Sequence, residues 1–286
     1  MKYFYLIKNP EKDGAGRVGE EIRRYIEDRG GVCRIQEPGE EVSRGSRKNF
    51  QYTDACRVPE DTECVITLGG DGTLIQAARD LAGRRIPMAG VNLGHLGYLT
   101  QVGDREEVEP LLDALLAGRY QLEPRMMLQG SIVHGGQEIK QDVALNEIVI
   151  TRRETLRVLK LRIYVNGEYL SEYKADGMIV ATPTGSTAYN LSAGGPIVAP
   201  GARMTILTPI CPHALNGRSI VLPADDRIEI EALGNDDLGQ VAVFDGDIAF
   251  DMMVGDRIRI EPSRTETVLV KFNNSSFLDN LRSKLA

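Results

Sequence analysis

The apolar residues of this 286-residue chain change period once, near residue 125, and that change limits the fold more than any single motif does. Before it, short apolar runs alternate with amphipathic stretches. "YFYLI" (3–7) reads as a buried strand, and Val18, Ile22, Tyr25 and Ile26 share one face of a helix that Gly30 and Gly31 end. "VCRI" (32–35), "CVITL" (64–68) and "IPMAGVNL" (86–93) read as further strands, and a helix after the third carries Leu74, Ala77, Ala78 and Leu81 on one side up to Gly83. Such alternation predicts a parallel sheet covered by helices over residues 1–124. From about residue 125 the period becomes two. Asn166-Gly167 and Asp245-Gly246 each separate two alternating runs, a strong hairpin signal. "RIEIEAL" and "DRIRIEP" add strands, so residues 125–262 are predicted to form a β-rich, sandwich-like domain. Residues 263–286 are left as a closing segment with a short helix, "FLDNLRSKL". The polar stretch 37–60 reads as a loop whose Arg44, Arg47 and Lys48 either close over phosphates or are simply solvated.

Composition narrows the partners. A hydrophobic content of 42% supports a real core, while a formal net charge of -7 argues against general affinity for nucleic acid or anionic membrane. The N-terminus lacks a signal-peptide pattern and no apolar run approaches a membrane span, so a cytoplasmic location is expected. Cys33, Cys56, Cys64 and Cys211 form no C-x-x-C pair, and His95, His134 and His213 show no ligand spacing with them. Reduced thiols and no structural zinc are expected.

Four stretches carry candidate chemistry. "GAGRVG" (14–19) matches a dinucleotide fingerprint, but "KNPEKD" separates it from the preceding strand, where the fingerprint needs its glycines at once. "TLGGDGTL" (67–74) sits where a phosphate site needs it, between strand and helix. Gly69, Gly70 and Gly72 allow close backbone approach, and Thr73 suits a cap or a phosphate oxygen. Asp71 in their midst either caps the helix or serves phosphoryl transfer, directed at an attacking hydroxyl or a bound Mg²⁺ rather than at phosphate oxygens. No Walker A lysine follows, which excludes a P-loop. Asn146 and Glu147 open an apolar strand, where a polar pair is costly unless it bonds something, whether a strand-edge turn or a ligand. In "ADGMIVATPTGSTAYNLSAGGP", Asp176 precedes a buried run, and Thr182, Thr184, Ser186, Thr187, Tyr189 and Ser192 crowd a turn with Gly185. That density suits ribose, amide and phosphate recognition, or a run of capping residues.

Together with "GVNLGHLGYLT", "PICPHAL" and the terminal "LRSKL", these stretches resemble the NAD kinase family over nearly the whole chain. The resemblance implies transfer of a phosphoryl group to the adenosine-ribose 2′-hydroxyl of NAD, from ATP, another nucleoside triphosphate or polyphosphate, with Mg²⁺ or another divalent metal. It implies an α/β domain followed by a β-sandwich-like domain with the site between them, and a homodimer or homotetramer. Asp71 would accept the proton, and Gly69, Gly70, Gly72 and Thr73 would hold the donor phosphates, with Gly72 also holding the nucleotide. Asn146 and Glu147 would bind ribose hydroxyls. Asp176, Thr187, Ala188, Tyr189, Asn190, Leu191 and Ser192 would line the NAD pocket, with Asp176 on the nicotinamide or the adenine side. Lys174 stands where Arg is frequent, Arg157 where some members put a basic or imidazole group, and Asp245-Gly246-Asp247 where D-G-Q is frequent. A packed, hydrogen-bonded role is expected for His95 and His213. Diacylglycerol and sphingosine kinases carry a similar glycine element, and a non-catalytic NAD(P) sensor would keep the binding residues. Both remain alternatives at this level.

Overall fold

The computed structural model describes residues 1–12, 14–36, 53–92, 97–100, 102–103, 105–153, 158–213, 217–234, 239–272 and 276–285. Most of the polar stretch expected as a loop, including Arg44, Arg47 and Lys48, lies outside them. Two compact units divide the described chain: residues 1–125 with 266–285, and residues 126–265.

In the first unit β1 (Tyr3–Lys8), α1 (Ala15–Glu27), β2 (Val32–Ile35), β3 (Cys64–Leu68), α2 (Asp71–Asp80), β4 (Met88–Val91) and α3 (Arg105–Leu116) follow one another. The strands run parallel in the order β2-β1-β3-β4. All five residues of β3 are buried, as a strand covered on both faces requires. α1 buries Ala15, Val18, Gly19, Ile22 and Ile26, a stripe at helical spacing. That stripe packs with Leu6, Ile66, Leu68 and Val91 from the sheet and with Leu111, Leu112 and Leu115 from α3. No expectation from sequence covers α3, whose interior Pro110 is a residue that ordinarily argues against a helix.

The second unit takes in most of β5 (Gln121–His134), then β6 (Gln137–Ala144), β7 (Glu147–Arg152), β8 (Leu159–Val165), β9 (Glu168–Ala175), β10 (Gly177–Ala181), the one-turn α4 (Tyr189–Ser192), β11 (Met204–Ile210), β12 (Ile220–Pro223), β13 (Ile228–Leu233), β14 (Gln240–Phe244) and β15 (Ile248–Met252). One layer is an antiparallel sheet ordered β12-β11-β10-β7-β14-β15. The facing layer pairs β13 with β8, β8 with β9, and β5 with β6, again antiparallel. Ile148, Ile150, Met178, Val180 and Phe244 from the first layer meet Leu161, Ile163, Ile228 and Ile230 from the second in one core. The fold is therefore an α/β part with a parallel sheet followed by an antiparallel β part, as the change of period predicts.

β16 (Arg257–Lys271) belongs to both units: Ile258 and Ile260 pair along β13, while Leu269 pairs with Met88 of β4. The closing helix α5 (Phe277–Leu285) matches its sequence expectation and falls in the first unit. Both expected hairpin turns have positive φ at their two central residues, Asn166 and Gly167 at 52° and 84°, Asp245 and Gly246 at 49° and 72°. Backbone of that kind follows the strand twist and favours Asn, Asp and Gly.

Candidate active site

The glycine turn leaves β3 with the Gly69 N–H donated to the Val91 carbonyl at 3.0 Å. Gly70 is the N-cap residue and Asp71 the first residue of α2, so Asp71 does not cap its own helix. Its carboxylate turns instead to residues 98–100. Oδ2 accepts the Tyr98 N–H at 2.7 Å, and Oδ1 accepts the Leu99 N–H at 3.2 Å, the Thr100 N–H at 3.0 Å and the Thr100 hydroxyl at 3.0 Å. The Thr100 hydroxyl in turn accepts from the Gly97 N–H and from Asn92 Nδ2. A Cβ on Gly97 would collide with the Asp71 carboxylate, so this glycine is fixed by close approach. Four donors thus fix the orientation of one acid. Lys284 of α5 lies 5.8 Å over the Tyr98 ring. His95, in the same motif, lies outside the described residues.

The other two glycines have no such local explanation. A Cβ on Gly70 or Gly72 would meet no atom of the described residues within 4 Å, and neither residue has a positive φ. They leave bare backbone at the N-terminus of a 10-residue helix, a surface suited to phosphate oxygens. Thr73 is only 2% exposed and its side chain packs against Gly69, which puts the hydroxyl under the turn. The Thr73 N–H donates to the Gly70 carbonyl at 3.0 Å.

In the second unit, residues 145–147 are clasped from two sides. Asp245 Oδ2 accepts the Leu145 N–H at 2.8 Å, and Oδ1 accepts the Asn146 N–H at 2.8 Å and the Glu147 N–H at 3.1 Å. The Asp245 N–H returns to the Glu147 carbonyl at 3.0 Å. On the other side the Thr182 N–H donates to the Asn146 carbonyl and the Thr182 hydroxyl to the Leu145 carbonyl. Gly185 packs so tightly on Asn146 that a Cβ would strike its carbonyl. Glu147 is 7% exposed, and its Oε2 has no hydrogen-bond partner among the described residues. Burial pushes its carboxyl up to about 8, and the neighbouring Asp245 carboxylate adds to the rise.

Around Asp176 the geometry is that of an ion pair. Arg152 Nη1 donates to Asp176 Oδ1, and this bond holds the Asp176 carboxyl below its ordinary value, with His213 contributing. Its exposure keeps the pair of modest worth to stability. The His213 N–H donates to the Lys174 carbonyl, while Lys174 itself lies exposed on β9. Thr187, Ala188 and Leu191 are half-buried, Tyr189 and Ser192 exposed. Asn190 differs. It is fully buried, gives its two amide hydrogens to the Ser186 and Pro196 carbonyls and accepts the Thr208 hydroxyl at 2.7 Å. Asn190 therefore ties together the loop from which residues 187–192 are presented. Arg157 lies outside the described residues. Arg152 was not singled out from sequence, and Asp245 was noted only within Asp245-Gly246-Asp247, without the role seen here. Their signals were weak: a basic residue ending an apolar run, and an Asp-Gly turn that a hairpin explains without any site.

"GAGRVG" is not a dinucleotide turn, since Gly16 and Gly19 lie inside α1. Among the described residues no three His, Cys, Asp or Glu side chains gather as a metal cage, and no helix is long and apolar enough to cross a membrane.

A strand–glycine-turn–helix with an oriented acid, followed by a β part carrying a clasped Asn-Glu pair, suits a kinase-class phosphotransferase. Residues 4–120 match the ATP-NAD kinase N-terminal domain family and residues 145–272 the ATP-NAD kinase C-terminal domain family. The NAD kinase of Lachnospira eligens is 46% identical over 297 aligned positions, covering 100% of both chains. That of Agathobacter rectalis is 45% identical over 289, covering 100% of this chain and 99% of the relative. Among solved structures, yeast NADH kinase complexed with NADH superposes with a TM-score of 0.82 at 28% identity, covering 99% of this chain and 86% of the other. An NAD kinase from Archaeoglobus fulgidus in complex with ATP superposes with a TM-score of 0.75 at 26% identity, covering 99% and 98%. The chain belongs to the NAD kinase family.

Proposed function

We propose that the protein phosphorylates the adenosine-ribose 2′-hydroxyl of NAD, using ATP, another nucleoside triphosphate or polyphosphate, to give NADP. The observation that carries this is Asp71: a carboxylate fixed by four donors at the start of α2, beside two glycines whose backbone no atom of the described residues covers. Among the described residues Oδ2 accepts one N–H, and a carboxylate oxygen has a second lone pair with which to take the 2′-hydroxyl proton. The N–H groups opening α2 face the donor phosphates. Asp71 therefore orients the nucleophile and takes its proton late in the transfer, while the helix terminus stabilises negative charge. Glu147, a buried carboxyl with an unpaired oxygen, takes up a ribose hydroxyl together with Asn146. Asp176, oriented by Arg152, and residues 187–192 bound the remainder of NAD, with Lys174 and Arg157 as further contacts.

A divalent cation such as Mg²⁺ would supply charge neutralisation on the donor phosphates. This ion is ordinarily held in large part by substrate phosphates and water. We expect a homodimer or homotetramer working in the cytoplasm.

The test is NADP formation from NAD, ATP and Mg²⁺ by the purified protein, with Asp71→Asn alongside. We expect the variant to fold, to bind NAD, and to lose about 10²–10⁴-fold in kcat. Near-normal kcat in the variant would remove Asp71 from the base role. Saturable NAD(P) binding without turnover on any donor would make the protein a sensor.

A further inference from the structure

Asn146 and Glu147 are candidate substrate contacts, yet nothing in their own sequence holds them in place. β7 begins only at Glu147, so the two residues sit where ladder pairing starts and residue 145 has not yet entered it. Such a segment needs partners for three consecutive N–H groups. One side chain supplies all three. The Asp245 carboxylate accepts from Leu145, Asn146 and Glu147 at 2.8, 2.8 and 3.1 Å, and its own N–H closes the ring on the Glu147 carbonyl. Asp245 can reach them because the turn after β14 puts it at φ 49°. β14 lies beside β7 with Phe244 opposite Ile148, so the residue after Phe244 arrives level with Glu147.

We propose that Asp245 is a positioning residue for NAD binding: its carboxylate gathers the three N–H groups of residues 145–147 and thereby aims the Asn146 and Glu147 side chains at the ribose. The hairpin turn alone does not require an acid, since Asn and Gly suit positive φ equally well. The anionic side chain is explained by its second job, as an acceptor of charge-assisted bonds. Asp245 also brings a negative charge beside the enclosed Glu147 carboxyl, which favours the neutral form of that acid. A neutral Glu147 donates a hydrogen bond to a ribose oxygen as well as accepting one. Thr182 and Gly185 hold the carbonyl side of the same segment, leaving Asp245 as its hold on the N–H side.

The inference rests on the NAD kinase reading, and the experiment separates the two. NADP formation is measured for the wild type, Asp245→Asn and Asp245→Gly, varying NAD and ATP in turn. Both replacements keep positive φ, so the hairpin is preserved. Asn leaves one acceptor oxygen and turns an NH₂ toward the N–H groups; Gly leaves none. The expected result is a KM for NAD raised roughly tenfold in the Asn variant and more in the Gly variant, with the KM for ATP within about twofold. A merely structural Asp245 would lower Tm and the active fraction while leaving both KM values unchanged, and that result overturns the proposal. An inactive wild type overturns the kinase reading itself. Should neither variant fold, hydrogen exchange on the wild type decides: protected amides at 145–147 support the clasp, and exchange at the rate of an open loop overturns it.

Discussion

Glu147 carries a consequence for stability that is independent of catalysis. Its folded-state value near 8 lies above the ordinary 4.5, because burial and the Asp245 charge both oppose ionisation. Between about pH 4.5 and pH 8 the folded chain therefore keeps a proton that the unfolded chain has released. The contribution of Glu147 to stability falls as pH rises through that window, with a slope reaching about 1.4 kcal/mol per pH unit. Glu147→Gln should flatten that part of the profile. Urea unfolding at pH 5 and pH 8, wild type against variant, is the measurement, and an identical pH difference in both would mean that Glu147 titrates in the ordinary carboxylate range. The residue-scale chemistry of the site was only partly legible in the sequence. Asp71, Asn146, Glu147 and Asp176 were conspicuous because acids and amides beside apolar strands are costly without a task. Their partners were not, because Asp245 stands 98 to 100 residues from the N–H groups it accepts, and Tyr98 to Thr100 stand 27 to 29 from Asp71. No local pattern records pairings of that range.

At the scale of elements, the strand-to-helix turns and hairpins were legible where their chemistry is local. Asn166-Gly167 and Asp245-Gly246 announce positive φ through residue type alone, and the alternating runs around them fix which face is buried. Gly135-Gly136 makes the same kind of turn between β5 and β6, at φ 55° and 84°, yet was not predicted from sequence. The run after it, "QEIKQDVA", is exposed over its first five residues and lacks the apolar alternation that marks a strand. α3 was missed for a related reason: Pro110 contradicts the pattern, and tertiary packing of Leu111, Leu112 and Leu115 overrides it. The turn after β10 yields a prediction. Gly185 touches the Asn146 carbonyl closely enough that even a methyl group forces the two segments apart. Gly185→Ala should cost about 1–3 kcal/mol by overpacking and raise the KM for NAD, because the shift is transmitted to Asn146. An unaltered urea midpoint would show that the loop yields without resistance.

For the molecule as a whole, the feature with the widest reach is β16. Its first residues complete the β part, while Leu269 and Val270, 1% and 3% exposed, belong to the α/β part with α5 after them. The two-domain order in sequence, α/β then β, therefore does not describe two separable polypeptides. The α/β unit is discontinuous, built from both ends of the chain. Expressed alone, residues 1–125 should lack a cooperative thermal transition, since the apolar positions that Leu269 and Val270 fill stay open. Joining 266–286 to residue 125 through a short flexible linker, or adding that peptide in trans, should restore it; a sharp transition in the bare fragment would contradict this. During synthesis the same geometry imposes an order of events: the α/β unit, begun before the β part, is completed only after it, because its closing strand segment and helix are made after residue 265.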